Sequence, residues 1–430
     1  MIEIRELYKK FELSSGVCID SRKLKEKSIF FCLKGDNFDG HTFAADSLVK
    51  GASYVVVDNI DYYDAANPCY IFVENTLTAL QALANYHRNQ FRIPVIAITG
   101  SNGKTTTKEL LYAVLSSKFK THATKGNFNN HIGLPLTLLD MPEDTDIAII
   151  EMGASAQGEI NFLCNIAQPN YGIITNIGKA HLEGFGSLEG IKIGKGELYK
   201  YIRSHGGKLF VNSDLDYLVE MSHGMNIVTY GSDQALKTYG KIINHHPYIS
   251  ILYNNEHIIN TQLVGNYNFY NILVSISVAR YFNIESNYIK KSVEEYAPTI
   301  NRSQSVEYAG AKIILDAYNA NPSSMLAAII SFEEKPKERS LVLLGDMLEL
   351  GKDSKSEHQK IMDRFIASDI DQAVFVGQHF YNVGKDQDDK RVKVFLSLDD
   401  AKQWFKSNDW FGWDILIKGS RSLNMEAILT

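Results

Sequence analysis

The sequence has little of several features that mark whole classes of protein. Its four cysteines (Cys18, Cys32, Cys69 and Cys164) are too few and too scattered for a disulfide framework or a CxxC zinc site. We therefore expect free thiols in a reducing, cytoplasmic setting. No stretch approaches about 18 uncharged apolar residues, the length that spans a bilayer. The charged start MIEIRELYKKFEL lacks the apolar segment of a signal peptide. We expect no contact with a membrane.

Neither sign of charge dominates. The chain has 44 Lys and Arg against 50 Asp and Glu, a net charge of −6, so no general nucleic-acid-binding surface is expected. With 45% hydrophobic and 22% charged residues, it has the composition of an ordinary globular protein. A single core stops growing near about 250–300 residues. At about 150 residues per domain, the 430 residues predict roughly three domains.

Alternating strand-like and helix-like segments predict an α/β fold with domains at residues 1–92, 93–299 and 300–430. The first is a small α/β unit with a polar loop at 35–41. The second has apolar strands separated by helix patterns, which indicates a central, doubly wound parallel sheet. The third has strands that end in polar residues or glycine, as in a Rossmann-like domain. Strands are predicted at 28–33, 52–57, 95–99, 146–150, 171–175, 311–316, 340–345, 372–377 and 413–418, and helices at 76–91, 108–118, 268–282 and 284–296.

The strongest local motif is TGSNGKTT, which follows a predicted strand and precedes a predicted helix. Glycines in such a turn let backbone N–H groups surround phosphate oxygens, and the helix start adds a positive dipole end. Lys104 would reach the β- and γ-phosphates, and Thr105 would ligate Mg²⁺. Ile98 stands where the GxxxxGK[ST] form has its first glycine, and an ordinary strand–turn–helix with a surface lysine is the alternative. The predicted nucleotide contacts here are Gly100, Ser101, Asn102, Gly103, Lys104, Thr105 and Thr106.

Further motifs extend over all three predicted domains. They are GNFNNHIGLPLT at 126–137, EMG at 151–153, NIGKAHLEGFGS at 176–187, DAYNANP at 316–322, LGDMLELG at 344–351 and KGSR at 418–421. Together with TGSNGKTT, these motifs resemble the Mur ligase family, and within it the branch that adds D-alanyl-D-alanine. The set is far more specific than TGSNGKTT alone.

The resemblance implies an ATP-dependent peptide ligase with one domain for each ligand. UDP-N-acetylmuramoyl-tripeptide would bind the first domain, ATP with Mg²⁺ the second, and D-alanyl-D-alanine the third, in peptidoglycan precursor synthesis. A carboxylate does not accept an amine directly, because its leaving group is poor, so ATP would convert it to an acyl phosphate. The enzyme would mainly position the reactants and neutralise phosphate charge. We expect a monomer that closes around its ligands.

The resemblance also implies roles for single residues near the nucleotide. Glu151 and His181 would be metal ligands with Thr105 and Lys195, the last as a carbamylated lysine. From the residues alone, His181 would be structural and Lys195 solvated. Catalytic roles are implied for Lys104, Lys195, His181 and Arg302, and nucleotide binding for Asn268, Asn271, Arg302, Asp316, Asn319 and Asn321.

The local pattern departs from the family in two places. Gly194 replaces the usual Ala beside Lys195, and Lys192 is a nearby competitor for the carbamate. Tyr267 stands where His is usual. Asn319 and Asn321 have an alternative interpretation as a turn built on Asn and Pro.

Substrate-binding residues are implied in all three domains. Arg22 suits a diphosphate, and Phe43 would pack on uracil, although lone surface loop residues would look the same. The amide cluster at 127–130 would orient the muramoyl-peptide. In the third domain, cations would take the carboxylate of D-alanyl-D-alanine and Asp346 its ammonium. The full set is Ser21, Arg22, Gly40, His41, Phe43, Asn127, Asn129, Asn130, Asp346, Lys418, Ser420 and Arg421.

Three other functions stay open at this point. The chain could be another ligase of the same superfamily, which adds a single amino acid or extends a glutamate tail on folate, although DAYNANP and GNFNNHIGLPLT favour D-alanyl-D-alanine. It could be a mechanical or regulatory P-loop ATPase, which would hydrolyse ATP without these substrates. It could be a non-catalytic nucleotide-binding module, but Lys104, Glu151, His181 and Arg302 together argue against that.

Overall fold

The computed structural model describes residues 2–298, 302–334 and 338–430. Over these ranges the strands form three main sheets in sequence order, with helices packed against them. The predicted α/β class, with a central sheet flanked by two smaller units, is confirmed. The predicted boundary between 92 and 93 lies just before the central sheet begins at Val95. The predicted boundary between 299 and 300 lies outside the described residues.

The first sheet is small and parallel. Its elements are α1 (Ile4–Glu12), β1 (Val17–Cys18), β2 (Ile29–Phe31), β3 (Lys34–Gly35), β4 (Phe38–Asp39), α2 (Ala44–Val49), β5 (Tyr54–Val57), β6 (Tyr70–Phe72) and α3 (Thr76–Arg88). The strand order is β1-β2-β5-β6. The predicted loop at 35–41 is wrong in part, because β3 and β4 form a short antiparallel hairpin there. Asn75 caps α3 by accepting from the N–H of Thr78.

The central sheet and its helices form the longest of the three parts of the chain. Its elements are β7 (Val95–Thr99), α4 (Lys104–Leu115), β8 (Thr121–Ala123), α5 (Gly133–Leu139), β9 (Ile147–Glu151), α6 (Glu159–Ala167), β10 (Tyr171–Ile174), α7 (Leu182–Phe185), α8 (Leu188–Ser204), β11 (Lys208–Asn212), α9 (Asp216–Met221), β12 (Ile227–Gly231), β13 (Thr238–Asn244), β14 (Ser250–Tyr253), β15 (His257–Asn260), α10 (Phe269–Tyr281) and α11 (Ser286–Glu295). The strand order is β15-β14-β13-β12-β11-β10-β7-β9-β8. Every residue of β7 is buried, as a strand covered by helices on both faces requires.

The central sheet is mixed, which corrects the purely parallel prediction. It is parallel from β8 to β13 and antiparallel from β13 to β15. The turn between β14 and β15 contains Asn254 and Asn255, both with positive φ. The N–H of Glu256 donates to the carbonyl of Tyr253 and closes this turn. Asparagine tolerates positive φ better than other side chains, so this pair is a hairpin signal in the sequence.

The third sheet places its functional strand ends side by side. Its elements are β16 (Gln304–Tyr308), β17 (Ala311–Asp316), α12 (Pro322–Glu333), β18 (Ser340–Gly345), α13 (Ser354–Ile366), β19 (Gln372–Val376), α14 (Gln378–Gly384), β20 (Val392–Phe395), α15 (Leu398–Lys406) and β21 (Asp414–Lys418). The strand order is β16-β17-β21-β18-β19-β20, parallel apart from β16. In the described part of the chain, no helix has the length and apolar character needed to cross a bilayer.

The hairpin strand β15 gives a direct test of the antiparallel extension. Ile259 is fully buried, whereas its neighbour Ile258 is 46% exposed on the other face. Ile259→Ala should lower the free energy of unfolding by about 2–5 kcal/mol, because it leaves a cavity. Ile258→Ala is the matched control and should cost less than about 1 kcal/mol. Urea unfolding followed by circular dichroism measures both, and equal losses would contradict the assigned faces.

Candidate active site

The carboxyl ends of strands from the central and third sheets face one cleft of about 1280 Å³. Sites of α/β proteins form at these ends. Most of the predicted residues line it, namely Ser101, Asn102, Gly103, Lys104, Thr105, Thr106, Asn127, Asn129, Asn130, Glu151, His181, Asn268, Asn271, Arg302, Asp316, Asn319, Asn321, Lys418, Ser420 and Arg421. The predicted residues that do not line it are Ser21, Arg22, Gly40, His41, Phe43, Gly100, Lys195 and Asp346.

The loop between β7 and α4 is held in a narrow space by its glycines. Gly100 has a φ of 140°, and a Cβ there would lie 2.0 Å from the hydroxyl of Thr175. Gly103 has a φ of 80°, and its Cβ would lie 2.6 Å from the side-chain oxygen of Asn271. Both positions therefore require glycine. The predicted helix start at 108 is wrong, because α4 begins at Lys104 directly after the loop.

Residues of the segment that follows β10 hold the loop between β7 and α4 from one side. Ser101 Oγ donates to the carbonyl of Gly178 at 2.8 Å and accepts from its N–H at 2.9 Å. The N–H of Asn102 donates to Asn176 Oδ1 at 3.0 Å. Contacts within the protein thus shape the loop.

Lys104 folds back over the loop. Its Nζ donates to the carbonyl of Gly100 at 2.7 Å and lies 3.3 Å from that of Ser101. Burial lowers the pKa of Lys104, and the nearby Glu151 carboxylate opposes this shift. An ammonium held against loop carbonyls is positioned to move onto phosphate oxygens once they occupy the loop.

Glu151 forms a small group of oxygen ligands with its neighbours. The hydroxyl of Thr105 donates to Glu151 Oε2 at 2.9 Å, and Asn129 Nδ2 donates to Oε1 at 2.8 Å. The carboxylate is 2% exposed. A hydroxyl and a carboxylate side by side are hard ligands that fit Mg²⁺. No group of three or more His, Cys, Asp or Glu in the described ranges is arranged as a complete metal site.

Lys108 is a buried cation of α4 that lies outside the sequence motifs and does not line the cleft. It lies one helical turn beyond Lys104, with its Nζ 3.5 Å from the carbonyl of Gly126. Burial lowers the pKa of its amine, whereas the Glu151 and Glu109 carboxylates raise it. A spacing of four residues in a helix places Lys104 and Lys108 on the same face, and this spacing is visible in the sequence.

Lys195 lies behind the cleft wall, in the interior of α8. Its side chain is 1% exposed, and its Nζ donates to the carbonyl of Ala154, a cleft residue, at 2.9 Å. Burial lowers its pKa well below the ordinary value. Lys192, the predicted competitor, instead forms a surface ion pair with Glu220 at 3.3 Å. The alternative of a solvated Lys195 is therefore wrong.

The hydrogen-bond partner of His181 lies in the third domain. Its Nδ1 donates to the carboxylate of Glu349, a residue of the third sheet's loops. This hydrogen bond holds the pKa of Glu349 below its usual value, against the effect of burial. Both residues line the cleft. Glu349 is in the LGDMLELG motif, but its contact with His181 was not predicted.

The third sheet contributes an acid–base pair to the cleft. Lys418 Nζ donates to Asp316 Oδ2 at 2.6 Å and to the carbonyl of Asn319 at 3.1 Å. The N–H of Ser303 donates to the other Asp316 oxygen at 3.0 Å. Asp316 and Lys418 were predicted to serve different ligands, and the structure pairs them with each other. Arg302 stacks 3.5 Å above the ring centroid of Tyr318.

Asn321 connects the third sheet to the loop between β7 and α4. Its Oδ1 accepts from the N–H of Ser324 and caps α12, while its Nδ2 donates to Asn102 Oδ1 at 2.8 Å. The alternative of a turn built on Asn and Pro is wrong for Asn321, which is the N-cap of α12 with Pro322 as the first helical residue. The same side chain also reaches the loop between β7 and α4. Asn268 and Asn271 bond to each other at 2.9 Å, and Asn271 accepts from Thr107 at 3.1 Å, so they hold α10 against α4.

Asp346 corrects the prediction of a substrate ammonium site. Its carboxylate is 4% exposed and accepts from the N–H groups of His379 and Phe380 at 2.9 and 2.8 Å, at the start of α14. It therefore stabilises a helix N-terminus. By contrast, Ser420 lines the cleft, and its buried hydroxyl has no hydrogen-bond partner among the described residues.

The predicted residues of the first domain lie on other surfaces or in its interior. Arg22 is paired with Asp20 at 2.9 Å in an exposed turn that includes Ser21. His41 is buried between Asp39 and Asp58 at 2.6 and 2.8 Å. Phe43 stacks on Phe38, and both rings are partly exposed. Gly40 packs so closely on the backbone of Leu33 that a Cβ would lie 2.7 Å from its carbonyl oxygen.

Three family profiles match the chain in order. They are the Mur ligase family catalytic domain over 14–88, the Mur ligase middle domain over 98–279, and the Mur ligase glutamate ligase domain over 301–420. The UDP-N-acetylmuramoyl-tripeptide–D-alanyl-D-alanine ligase of Bacillus subtilis is 36% identical to this chain, covering 96% of it and 92% of the relative. The chain belongs to the Mur ligase family.

Solved structures of Mur ligases share this architecture. MurF from Acinetobacter baumannii superimposes with a TM-score of 0.87 at 28% identity, covering 98% of this chain and 97% of that one. The MurF ligase from Thermotoga maritima in complex with ADP gives 0.84 at 26% identity, covering 100% and 97%. The similarity extends over the whole chain and is not confined to one sheet.

Packing accounts for Gly194, and Tyr267 forms a contact between the central and third domains. A Cβ at Gly194 would lie 2.4 Å from the ring of Phe185, which occupies the space that an alanine would need. The hydroxyl of Tyr267 lies 2.6 Å from Ser303 Oγ, and burial raises the pKa of this tyrosine. Tyr267 therefore ties the residues before α10 to the start of the third sheet.

Replacing Asp346 and Ser420 separates a structural role from a ligand-binding one. Asp346→Asn should lower the free energy of unfolding by about 1–3 kcal/mol, since one helix-capping acceptor becomes a donor, with the KM of the amino substrate changed less than about 2-fold. Ser420→Ala removes an unpartnered hydroxyl from the cleft wall, so it should spare stability and raise that KM by about 10-fold, close to one hydrogen bond. Thermal unfolding and steady-state kinetics measure both variants. The reverse pattern would restore Asp346 to the binding site.

Proposed function

We propose that this chain joins D-alanyl-D-alanine to UDP-N-acetylmuramoyl-tripeptide in peptidoglycan precursor synthesis, with ATP split to ADP and phosphate. The observation that carries the proposal is one shared cleft. In it the loop between β7 and α4 (residues 100–103, the phosphate loop) faces Arg302, Lys418 and Arg421 of the third domain. The B. subtilis relative, matched along nearly the whole chain, has this activity in its name.

The phosphate loop would bind the nucleotide. The N–H groups of Ser101 and Asn102 already donate to Asn176. The backbone N–H groups of residues 103–105, at the N-terminus of α4, would therefore present the positive dipole end to phosphate oxygens. Lys104 would exchange its loop carbonyls for the β- and γ-phosphates. Arg302, brought from the third domain, would add a fixed cation to the γ-phosphate side. Asp316, held by Ser303, would accept from a ribose hydroxyl.

The chemistry then requires two displacements. An oxygen of the tripeptide carboxylate attacks the γ-phosphorus and ADP leaves, which gives an acyl phosphate. The amine of D-alanyl-D-alanine attacks the acyl carbon, a proton is lost, and phosphate leaves as the amide forms. The chain's part is to align these groups and to compensate the phosphate charge with Lys104 and Arg302.

Thr105 and Glu151 would hold Mg²⁺, with His181 as a further ligand from the neighbouring loop. When bound, the ion would neutralise charge on the phosphates. Asn129 donates to the same carboxylate and would keep it oriented.

We also propose a carbamate on Lys195. Its lowered pKa leaves more of the amine neutral near neutral pH, and a neutral amine is the form that adds CO₂. The carbamate would turn a buried cation into an anion at the wall of the cleft, beside Ala154.

Two further expectations belong to this proposal. One is that the chain acts as a monomer. The four cysteines lie within the described ranges as free thiols, in keeping with work in the cytoplasm.

Substrate-dependent phosphate release tests the function. With UDP-N-acetylmuramoyl-tripeptide and ATP, release should depend on D-alanyl-D-alanine and be at least about 100-fold slower with L-glutamate, because the third-domain site must bind a dipeptide. Lys104→Met should abolish it and Lys23→Met, an exposed control, should not. Release with L-glutamate, meso-diaminopimelate or a folate alone would assign another ligase. Release without any acceptor would indicate an ATPase.

Removal of the Lys195 amine tests the carbamate. Lys195→Ala should reduce turnover by at least about 1000-fold, because the buried anion is lost, whereas Lys192→Ala should keep turnover within about 2-fold. A ¹³C-bicarbonate NMR spectrum should show a carbamate signal in the wild type that Lys195→Ala lacks. Full activity of Lys195→Ala would overturn the assignment.

A further inference from the structure

A loop of the central domain is gripped by the third domain at several points. The N–H of Lys179 donates to Ser323 Oγ at 2.9 Å, and Lys179 Nζ pairs with the buried Glu357 at 2.8 Å. The N–H of Glu183 donates to the carbonyl of Glu349 at 3.1 Å. The loop that carries His181 therefore depends for its shape on groups from α12, α13 and the segment between β18 and α13.

His181 and Glu349 share an uncommon backbone conformation. His181 has a φ of 54° and Glu349 a φ of 59°, in the left-handed region that residues other than glycine seldom adopt. The two residues contact each other through their side chains across the interface between the two domains. Strained conformations persist where surrounding structure holds them, and they concentrate at functional sites.

The side chains of these two residues meet inside the cleft. The carboxylate of Glu349 can only accept, so His181 Nδ1 carries the proton of their hydrogen bond. In the neutral ring this leaves Nε2 as the nitrogen with a lone pair. A carboxylate on one ring nitrogen fixes the orientation and tautomer of a histidine that ligates through the other.

We propose that Glu349 is a positioning residue that orients His181 across the domain interface. His181 then enters the site in working geometry only when the third domain is docked. The inference rests on the proposed function, since that function gives His181 its role as a ligand. It adds that the third domain completes the central domain's metal site and does not only supply groups to the substrates.

Binding of Mn²⁺, used in place of Mg²⁺ with a non-hydrolysable ATP analogue, tests the proposal without turnover. Glu349→Ala should weaken Mn²⁺ binding by about 10- to 100-fold, the usual effect of removing a carboxylate behind a metal-binding histidine. Glu349→Gln keeps an acceptor oxygen and should lose less than about 5-fold. In a His181→Ala background, Glu349→Ala should change binding by less than about 2-fold.

Glu357→Gln is the matched control for docking. It weakens the ion pair with Lys179 between the same two domains without touching His181. If Glu349 acted only by docking the third domain, Glu357→Gln would weaken Mn²⁺ binding as much as Glu349→Ala does. We expect an effect at least about 5-fold smaller. Equal effects, full additivity with His181→Ala, or unchanged Mn²⁺ binding in Glu349→Ala would each overturn the proposal.

Kinetics provide the second readout. Glu349→Ala should lower kcat with the KM of ATP within about 2-fold, and Glu349→Gln should restore most of kcat. Wild-type enzyme that fails to use D-alanyl-D-alanine would remove the proposed function. The Mn²⁺ comparison would still report whether Glu349 orients His181, because it requires no amino substrate.

Discussion

The site depends on the passage of a short loop between two strand ends and a helix, where no side chain fits. Gly100 lies against Thr175, and Gly103 lies against Asn271. These contacts set the path of the backbone and therefore the direction of its N–H groups. Lys104 begins α4 at the end of this path and Thr105 follows it, so the cation and the hydroxyl inherit their positions from the glycines. Glu151 is the last residue of β9, and its contact with Thr105 places the C-terminal end of this strand next to the same loop.

Charge compensation then links the loop to the rest of the cleft. The net charge of the chain is −6, and every ligand of the proposed reaction is anionic or zwitterionic, so attraction must come from local groups. Lys104 lies at the start of α4, and Arg302 and Lys418 come from the third domain. Lys418 is already paired with Asp316. Within the protein these cations contact loop carbonyls, the ring of Tyr318 and the carboxylate of Asp316, and in the proposed reaction the anionic ligands would replace those contacts.

Much of this arrangement could be predicted from the sequence because it is local. The strands that lead to Lys104, Glu151 and Asp316 are short apolar runs, and the loop motif follows one of them directly. The hairpin at Asn254 and Asn255 had a signal that strand spacing alone did not reveal. The pair formed by Asp316 and Lys418 joins residues 102 positions apart, and their strands lie side by side only because β21 inserts next to β17. Asp346 resembled a ligand group, yet its oxygens meet the N-terminus of a helix whose placement no local pattern gives. The burial of Lys195 and the contact of His181 with Glu349 likewise arise from packing between distant segments.

In the proposed reaction, the two sheets build one site in which ATP activates a carboxylate before the amine attacks. Oxygen-isotope transfer tests it most directly. UDP-N-acetylmuramoyl-tripeptide labelled with ¹⁸O in its terminal carboxylate is turned over with ATP and D-alanyl-D-alanine in unlabelled water, and the released phosphate is analysed by mass spectrometry. An ¹⁸O atom from the carboxylate should appear in the phosphate at each turnover. Phosphate without the label would contradict it, because the phosphate oxygen would then have come from water.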